Sequence, residues 1–358
     1  MARLTIWADG RALPVEVEAG ELLSDALLRS GHRPDMPCGG RGRCRKCRVQ
    51  ASGALSPLSA AELDALSPAE REAGVRLACC TRILGDAQVT AAGDGAVTQI
   101  CTQGEARAVE RLDPMFAALG AAVDIGTTTL AAQLYDRNGL LATAAAPNPQ
   151  RSFGADVITR IGKCAEIGVR PLREALAGQL DRLFAGLLRG RGVRPDRVRG
   201  VVLTGNTAML HLFAGLDPAG LAAAPYTPQS LFGVLYNARG YFPTLPPAAP
   251  VYLAPCVGAF VGADTVCALL ACRLEPRELL LDVGTNGEIV LAHNGRLYGA
   301  STAAGPALEG AGIYMGMTAL PGAIDHVYLT GGKITYTTIG GAEAKGICGS
   351  GILDAAAV

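Results

Sequence analysis

The sequence predicts two folded parts in series: a small α+β domain, then a larger α/β domain built on an internal duplication. Three observations predict it. Residues 1–92 hold a strand hairpin, one short helix and four cysteines spaced as a ligand set. Residues 119–358 carry one strand–polar turn–strand–turn–strand unit twice, about 158 residues apart. Between them, residues 93–118 show little periodicity and read as a linker.

Composition sets the bounds. The chain has 358 residues, 49% apolar and 18% charged; the charged share lies below the roughly 25% usual for soluble proteins, so disorder is excluded and a sizeable core is expected. The formal net charge is zero, which argues against a nucleic-acid binder working by bulk electrostatics. The first ten residues lack a signal-peptide pattern, and the longest apolar stretch, 251–272, is interrupted by Pro255 and Asp264. A cytoplasmic protein with no membrane partner is expected. Eleven cysteines is an odd number, and without export signals clustered cysteines point to metal or redox chemistry rather than disulfides.

In the first part, residues 4–7 and 13–17 alternate as strands across Asp9-Gly10, a two-residue hairpin signal. Residues 21–29 predict a helix with Leu22, Leu23, Ala26 and Leu27 facing inward and Gly31 ending it. Cys38, Cys44 and Cys47 then stand as Cys-x5-Cys-x2-Cys, with 31 residues between Cys47 and Cys79. Four thiolates are what a [2Fe–2S] cluster needs. Gly39, Gly40 and Gly42 permit positive φ and turn backbone N–H groups towards the sulfurs; such hydrogen bonds, with nearby cations, raise a reduction potential. A structural zinc site is the alternative, but it usually pairs two Cys-x2-Cys knuckles, whereas three ligands here share one glycine-rich loop. Arg29, Arg33, Arg41, Arg43, Arg45, Lys46 and Arg48 crowd the region. They form either an ordinary solvated face or a surface that steers an acidic redox partner.

Hairpin, helix, cysteine loop and distant Leu77-Ala78-Cys79 together resemble the β-grasp fold of [2Fe–2S] ferredoxins, of the variety with five residues between the first two ligands. The resemblance makes Cys79 the fourth ligand. It also puts Cys80 where a glutamine is more usual, leaving an exchange of ligand between these neighbours open.

In the second part, 121–125 is a buried strand entering the turn Gly126-Thr127-Thr128, with strands 130–135 and 140–144 on either side of Asn138-Gly139. The pattern returns at 279–283, Gly284-Thr285-Asn286, 289–292, Asn294-Gly295 and 296–299. Such duplication predicts two related halves facing each other. A turn glycine lets backbone amides approach phosphate oxygens, hydroxyls add donors, and the strand-end Asp124 and Asp282 can hold Mg²⁺ through water. One such turn often merely connects strands; two in matching context point to a nucleotide.

This pairing resembles the ATPase superfamily of acetate and sugar kinases, heat-shock chaperones and actin, with its ribonuclease-H-like duplicated fold. The resemblance implies ATP and Mg²⁺ as ligands. It places Asp124, Gly126, Thr127 and Thr128 in a first phosphate loop, and Asp282, Gly284, Thr285 and Asn286 in a second. Gly349, Ser350 and Gly351 look like the adenosine-side motif. The catalytic residues stay unknown, with Asp264 and Glu288 as candidates for a base.

Other elements have plain readings. Residues 171–189 predict an amphipathic helix with Pro171 in its first turn and a stripe of Leu172, Leu176, Leu180, Leu183 and Leu187. Asn206, at a strand–helix junction, either caps or contacts ligand, and His211 reads as a packed histidine. Cys101, Cys164, Cys256, Cys267, Cys272 and Cys348 read as small core residues.

The combination resembles the reductive activators of corrinoid enzymes, as do Asn148-Pro149-Gln150 and the segments 154–158, 204–209 and 303–311. The resemblance implies ATP-dependent transfer of one electron from a [2Fe–2S] cluster to an inactive Co(II) corrinoid protein or methyltransferase, regenerating Co(I), with an upstream electron donor as second partner. One-electron transfer loses about tenfold in equilibrium per 59 mV of adverse potential, which nucleotide binding or hydrolysis can offset. Two departures stand out. Only a short joint precedes the first phosphate loop, and the chain stops at Ala357-Val358, so a C-terminal truncation is expected and ATP turnover is left open. The alternatives are a nucleotide-binding redox adaptor without turnover, or an activator of another low-potential enzyme. A sugar or acid kinase fits least, since the iron–sulfur domain would be idle.

Overall fold

The structure, a computed structural model, describes residues 1–8, 10–36, 38–90, 119–284, 286–302, 313 and 315–358. The expected linker, Cys101, Thr285 and the segment 303–311 lie outside the described residues. The chain divides into two compact units: Met1–Val97 with Pro149–Lys163, and Thr98–Asn148 with Cys164–Val358.

The first unit is a five-stranded sheet. Strands β1 (Ala2–Ala8) and β2 (Arg11–Val17) form the expected hairpin, with Ala8 opposite Arg11. Helix α1 (Leu23–Arg29) follows, then β3 (Arg48–Leu55), short helices α2 (Ala60–Ala65) and α3 (Pro68–Glu72), β4 (Val75–Leu77) and β5 (Ile83–Thr90). The sheet order is β2-β1-β5-β3-β4, with β1 and β5 parallel at its centre and the other pairs antiparallel. Alternation in β1 turns Leu4 and Ile6 inward, where they meet Leu23, Leu27, Leu77 and Ile83 in a fully buried core. Each such side chain contributes roughly 1.5–3 kcal/mol by leaving water. Gly31, at φ +85°, stands just past α1, as a helix stop requires.

The second unit begins with β6 (Gly120–Ile125), β7 (Thr129–Asp136) and β8 (Gly139–Pro147), an antiparallel meander. Strand β9 (Gly200–Gly205) runs parallel to β6, and β11 (Pro250–Leu253) parallel to β9, with β10 (Val234–Asn237) closing the edge. After helix α4 (Val157–Ile167), helix α5 (Arg170–Gly190) buries Leu172, Leu176, Leu180, Phe184 and Leu187, so Phe184 takes the inward position expected of Leu183. Helices α6 (Thr207–Ala214) and α7 (Ala263–Cys272) follow β9 and β11.

The duplication is visible in the backbone. Strands β12 (Leu279–Val283), β13 (Gly287–His293) and β14 (Arg296–Thr302) form a second antiparallel meander. In both meanders three residues (126–128 and 284–286) join the first two strands and two residues (137–138 and 294–295) join the next two. Asp124 and Asp282 occupy the same penultimate strand position. Burial differs sharply: β6 alternates buried positions, whereas every residue of β14 is exposed. A hairpin of β15 (Ala323–Thr330) and β16 (Lys333–Thr338), with β17 (Gly346–Ile347) parallel to β15, leads into α8 (Gly349–Ala357). Among the described residues no helix is long and apolar enough to cross a membrane.

One expectation needs refinement and another holds. Cys164, Cys256 and Cys348 are buried as expected, but Cys267 is half-buried and Cys272, the last residue of α7, is exposed. His211 is a packed histidine: its Nδ1 meets the Thr207 carbonyl at 2.7 Å and its Nε2 accepts from the Gln229 N–H at 3.1 Å.

Candidate functional site

Cys38, Cys44 and Cys47 sit on the loop between α1 and β3, and Cys79 on the turn between β4 and β5. Gly39, Gly40 and Gly42 adopt φ of +64°, +84° and +70°, the left-handed conformations that tight wrapping needs. Arg45 joins them at +58°, a conformation uncommon outside glycine. The Ala78 N–H donates to the Cys47 carbonyl at 2.9 Å, tying the remote turn to the loop. On the outer side of the loop, Gly39 backs onto the Phe153 carbonyl and the Thr159 methyl within the same unit.

The four thiols meet two by two. Cys47 and Cys79 sulfurs lie 3.4 Å apart, and the Cys38 and Cys44 thiols influence each other's ionisation. Sharing a proton lowers the Cys47 thiol and, with burial, raises Cys79. Burial works against the Cys38 thiolate, yet N–H groups of Cys44, Arg43 and Arg41 and the Cys44 thiol bring it below its ordinary value. Burial raises Cys44. Each pair therefore has one thiol that ionises early. Two thiolate pairs suit two irons, each taking two sulfurs, so the donor set fits a [2Fe–2S] cluster.

A residue the spacing did not reveal fixes the remote turn. Glu62 is fully buried and accepts from Arg76 Nε at 2.8 Å, the Leu77 N–H at 3.1 Å and Thr81 Oγ1 at 3.0 Å. It also closes a capping box with Ser59 at the start of α2. Burial opposes its charge, but the Arg76 guanidinium and the Ser59 and Leu77 N–H groups hold its carboxyl at about 2. Both ends of the Cys79 turn are thus pinned to one carboxylate. The sequence signal was Ser59-x-x-Glu62, which announces a helix start and not a buried hub.

The arginine crowd divides. Arg29 pairs with Glu21, Arg45 with Asp64, and Arg48 with Glu70. Arg41 and Arg43 are exposed on the loop beside Cys38 and Cys44.

In the second unit, the first acidic turn is built tightly. A Cβ at Gly126 would stand 2.7 Å from the Thr129 carbonyl, so only glycine fits. Asn148 braces the turn, its Nδ2 donating to the Gly126 carbonyl at 2.8 Å and its N–H to the Thr128 carbonyl at 2.7 Å. Asn206 Oδ1 caps α6 by accepting from the Met209 N–H at 2.9 Å, while its Nδ2 donates to Thr127 Oγ1 at 3.0 Å. Its role is therefore capping together with positioning of Thr127. Gly284 and Asn286 stand at the equivalent second turn, where the Gly284 N–H donates to the Asn286 carbonyl at 3.0 Å.

Four carboxylates gather around these turns. Asp124 is open to solvent, yet surrounding protein together with Asp264 and Asp282 pushes its carboxyl up to about 7. Burial and the same two aspartates push Glu288 up to about 7, with Ser301 Oγ donating to it at 3.4 Å. Burial and Asp282 raise Asp264, while the Thr265 N–H donates to it at 2.8 Å. Gly262 lets α7 begin close to Asn206: a Cβ there would lie 2.5 Å from both Asn206 Cα and Asp264 Oδ1. The predicted Asp124 and Asp282 are thus brought together with the unassigned Asp264 and Glu288. Gly349, Ser350 and Gly351 open α8, whose start has no side-chain cap. Gly351 has a packing reason of its own, since a Cβ would meet the Ile324 carbonyl at 2.3 Å.

With this geometry in view, three family models match the chain in succession. A model described as a 2Fe-2S iron-sulfur cluster binding domain matches residues 8–84. The RACo middle region matches 119–277, and the C-terminal domain of RACo, the ASKHA domain, matches 277–358. The chain carries both RACo regions end to end over residues 119–358. Its first sheet is the ferredoxin-like fold and its duplicated meanders belong to the actin-like ATPase fold. Corrinoid activation enzyme RamQ of Eubacterium limosum is 39% identical over 246 residues, covering 67% of this chain and 41% of that relative. The [Co(II) methylated amine-specific corrinoid protein] reductase of Methanosarcina barkeri is 30% identical over 222 residues, 57% of this chain and 40% of its own length. The chain thus spans about two fifths of the curated relatives it matches. A solved structure titled reductive activator for corrinoid, iron-sulfur protein superposes with a TM-score of 0.59 at 26% identity, over 99% of this chain and 72% of that one.

Proposed function

We propose that the chain is an ATP-dependent reductive activator of the cytoplasm. It takes one electron from an upstream donor and delivers it to a Co(II) corrinoid protein or corrinoid-dependent methyltransferase, giving Co(I). The observation that carries the reading is the presence, in one chain, of two thiol pairs and a duplicated pair of acidic turns. The names of the relatives support it. Residues 1–92 would form the electron-carrying domain, 93–118 the linker and 119–358 the nucleotide domain.

Cys38 with Cys44, and Cys47 with Cys79, would hold the [2Fe–2S] cluster. When bound, the cluster supplies a one-electron carrier. The chain's own contribution is electrostatic: N–H groups of Arg41 and Arg43 stabilise the Cys38 thiolate, and Glu62 holds the Cys79 turn in register. In the second unit, Asp124 and Asp282 would bind Mg²⁺ through water, and the turns Gly126-Thr127-Thr128 and Gly284-Thr285-Asn286 would offer amides and hydroxyls to phosphate oxygens. Gly349, Ser350 and Gly351 would meet the adenosine side with the uncapped N–H groups of α8. Glu288, with a carboxyl near 7, has the affinity for protons that a general base for water needs at neutral pH.

The test is anaerobic. The protein is reconstituted with iron and sulfide, reduced and mixed with a Co(II) corrinoid protein, and Co(I) absorbance is followed with and without MgATP. Asp124→Ala removes only the ATP effect, and Cys44→Ser removes electron delivery. An unchanged rate in Cys44→Ser refutes the proposal.

A further inference from the structure

Beside the four-thiol set stands a fifth thiol. Cys80 Sγ lies 3.7 Å from Cys79 Sγ, while Cys47 Sγ lies 3.4 Å from Cys79 on another contact. Two sulfurs on one tetrahedral metal, each at about 2.3 Å, stand about 3.8 Å apart. Cys79 therefore has two thiol neighbours at a separation that metal sharing allows. The cluster loop also faces both residues of the turn. A Cβ at Gly40 would lie 3.9 Å from Cys79 Cβ, and one at Gly42 would lie 3.2 Å from Cys80 Sγ. Gly42 thus leaves the space that the Cys80 sulfur fills.

The turn's construction allows either sulfur to serve. Leu77 and Thr81, on either side, are held by Glu62, and the Cys80 N–H closes the turn on the Leu77 carbonyl at 2.8 Å. Cys79 and Cys80 lie between the two anchors, and Cys80 is only half-buried.

We propose that Cys80 is a reserve fourth ligand: where residue 79 cannot bind iron, Cys80 Sγ takes its place as the partner of Cys47 and the [2Fe–2S] cluster is kept. The inference rests on the assignment of Cys38, Cys44, Cys47 and Cys79 as ligands. The exchange is a substitution without redox change. An iron–sulfur bond would form at Cys80 as the iron–oxygen bond to a solvent molecule in that position breaks and the water leaves. The Cys80 S–H bond gives its proton to bulk water, and no electron moves.

The test uses the whole chain, reconstituted anaerobically, with iron and acid-labile sulfide counted per chain and paramagnetic resonance recorded after reduction. Cys80→Ala keeps about two irons and the wild-type signal. Cys79→Ala keeps about two irons with a shifted signal, and Cys79→Ala/Cys80→Ala loses them. A Cys79→Ala protein that is folded by circular dichroism but holds no iron overturns the proposal, as does a double variant that holds as much iron as Cys79→Ala. If Cys79→Ala does not fold, Cys79→Val, which also offers no donor atom, replaces it: loss of iron on adding Cys80→Ala is the expected result, and no loss overturns the proposal. Cys47→Ala separates the two ideas, because iron retained there refutes the ligand assignment itself and not the reserve role alone.

Discussion

In the first unit, four thiols meet backbone N–H groups and nearby arginines; in the second, four carboxylates meet one another. The N–H groups around Cys38 lower its pKa, and Glu62 is held ionised by Arg76 and amides. Around Asp124 and Glu288 the neighbours that shift the pKa most, beyond burial, are acidic. In each thiol pair the site favours one anion, Cys38 or Cys47, and holds its neighbour, Cys44 or Cys79, protonated. The carboxylate site would leave the stabilising of its anions to a cation from outside, and without one the carboxyls of Asp124 and Glu288 stand at about 7. One chain thus contains a site organised before its metal binds and a site that its metal would complete.

The sharpest way to break this comparison is to remove a ligand from one site and watch the other. Cys47→Ser is expected to lose essentially all cluster iron while fluorescent-nucleotide binding stays as in the wild type; joint loss would show that the sites are not separable. Next in size is Glu62→Gln, which leaves Arg76 buried without its partner and should destabilise the first unit by about 3–5 kcal/mol in denaturant unfolding. Equal stability would remove Glu62 from its central place. Asp124→Asn should weaken Mg²⁺-nucleotide binding at least about tenfold, yet raise the melting temperature in metal-free buffer at pH 8 by relieving repulsion. A lowered melting temperature would contradict the charge argument.

The two sites should also respond to pH with opposite slopes. Glu62 falls from 4.5 to about 2 on folding, so its contribution is present above 4.5 and is lost as pH drops towards 2. Asp124 and Glu288 rise from 3.8 and 4.5 to about 7, so the folded second unit binds more protons and loses stability as pH climbs from about 4 to 7. Mg²⁺ with nucleotide should flatten that second slope, which calorimetry across pH can check. The smallest effect concerns Arg41 and Arg43. Replacing both with Glu should slow electron transfer to or from an acidic partner about tenfold at low salt, with the difference fading as salt rises.

How much of this was legible in the sequence depends on how local each feature is. The cysteine loop was legible because Cys38, Cys44 and Cys47 lie close together and their spacing reports chemistry directly. The duplication was legible because two hairpins with matching turn lengths recur in order. Glu62 was hidden because its partners Arg76, Leu77 and Thr81 come from the far side of two short helices, and the residue itself resembles an ordinary capping glutamate. The gathering of Asp264 with Asp124 was hidden too, since it depends on where α7 begins and on Gly262 allowing that approach. Gly351 carries a caution: a glycine read as making room for nucleotide is also demanded by the packing of α8 on β15. The unequal burial of the two meanders could not be read at all, because alternation marks which residues share a face and not what covers that face.

The central proposal is that the electron reaching cobalt would come from the thiol site under the control of the acidic one. Single-turnover mixing of the reduced chain with a Co(II) corrinoid protein, with no other reductant present, tests it directly if Co(I) absorbance and the reduced-cluster resonance are followed together. The account predicts that with MgATP one signal decays as the other grows, mole for mole, and that without MgATP both stay largely unchanged. Co(I) appearing while the reduced-cluster resonance persists would contradict it.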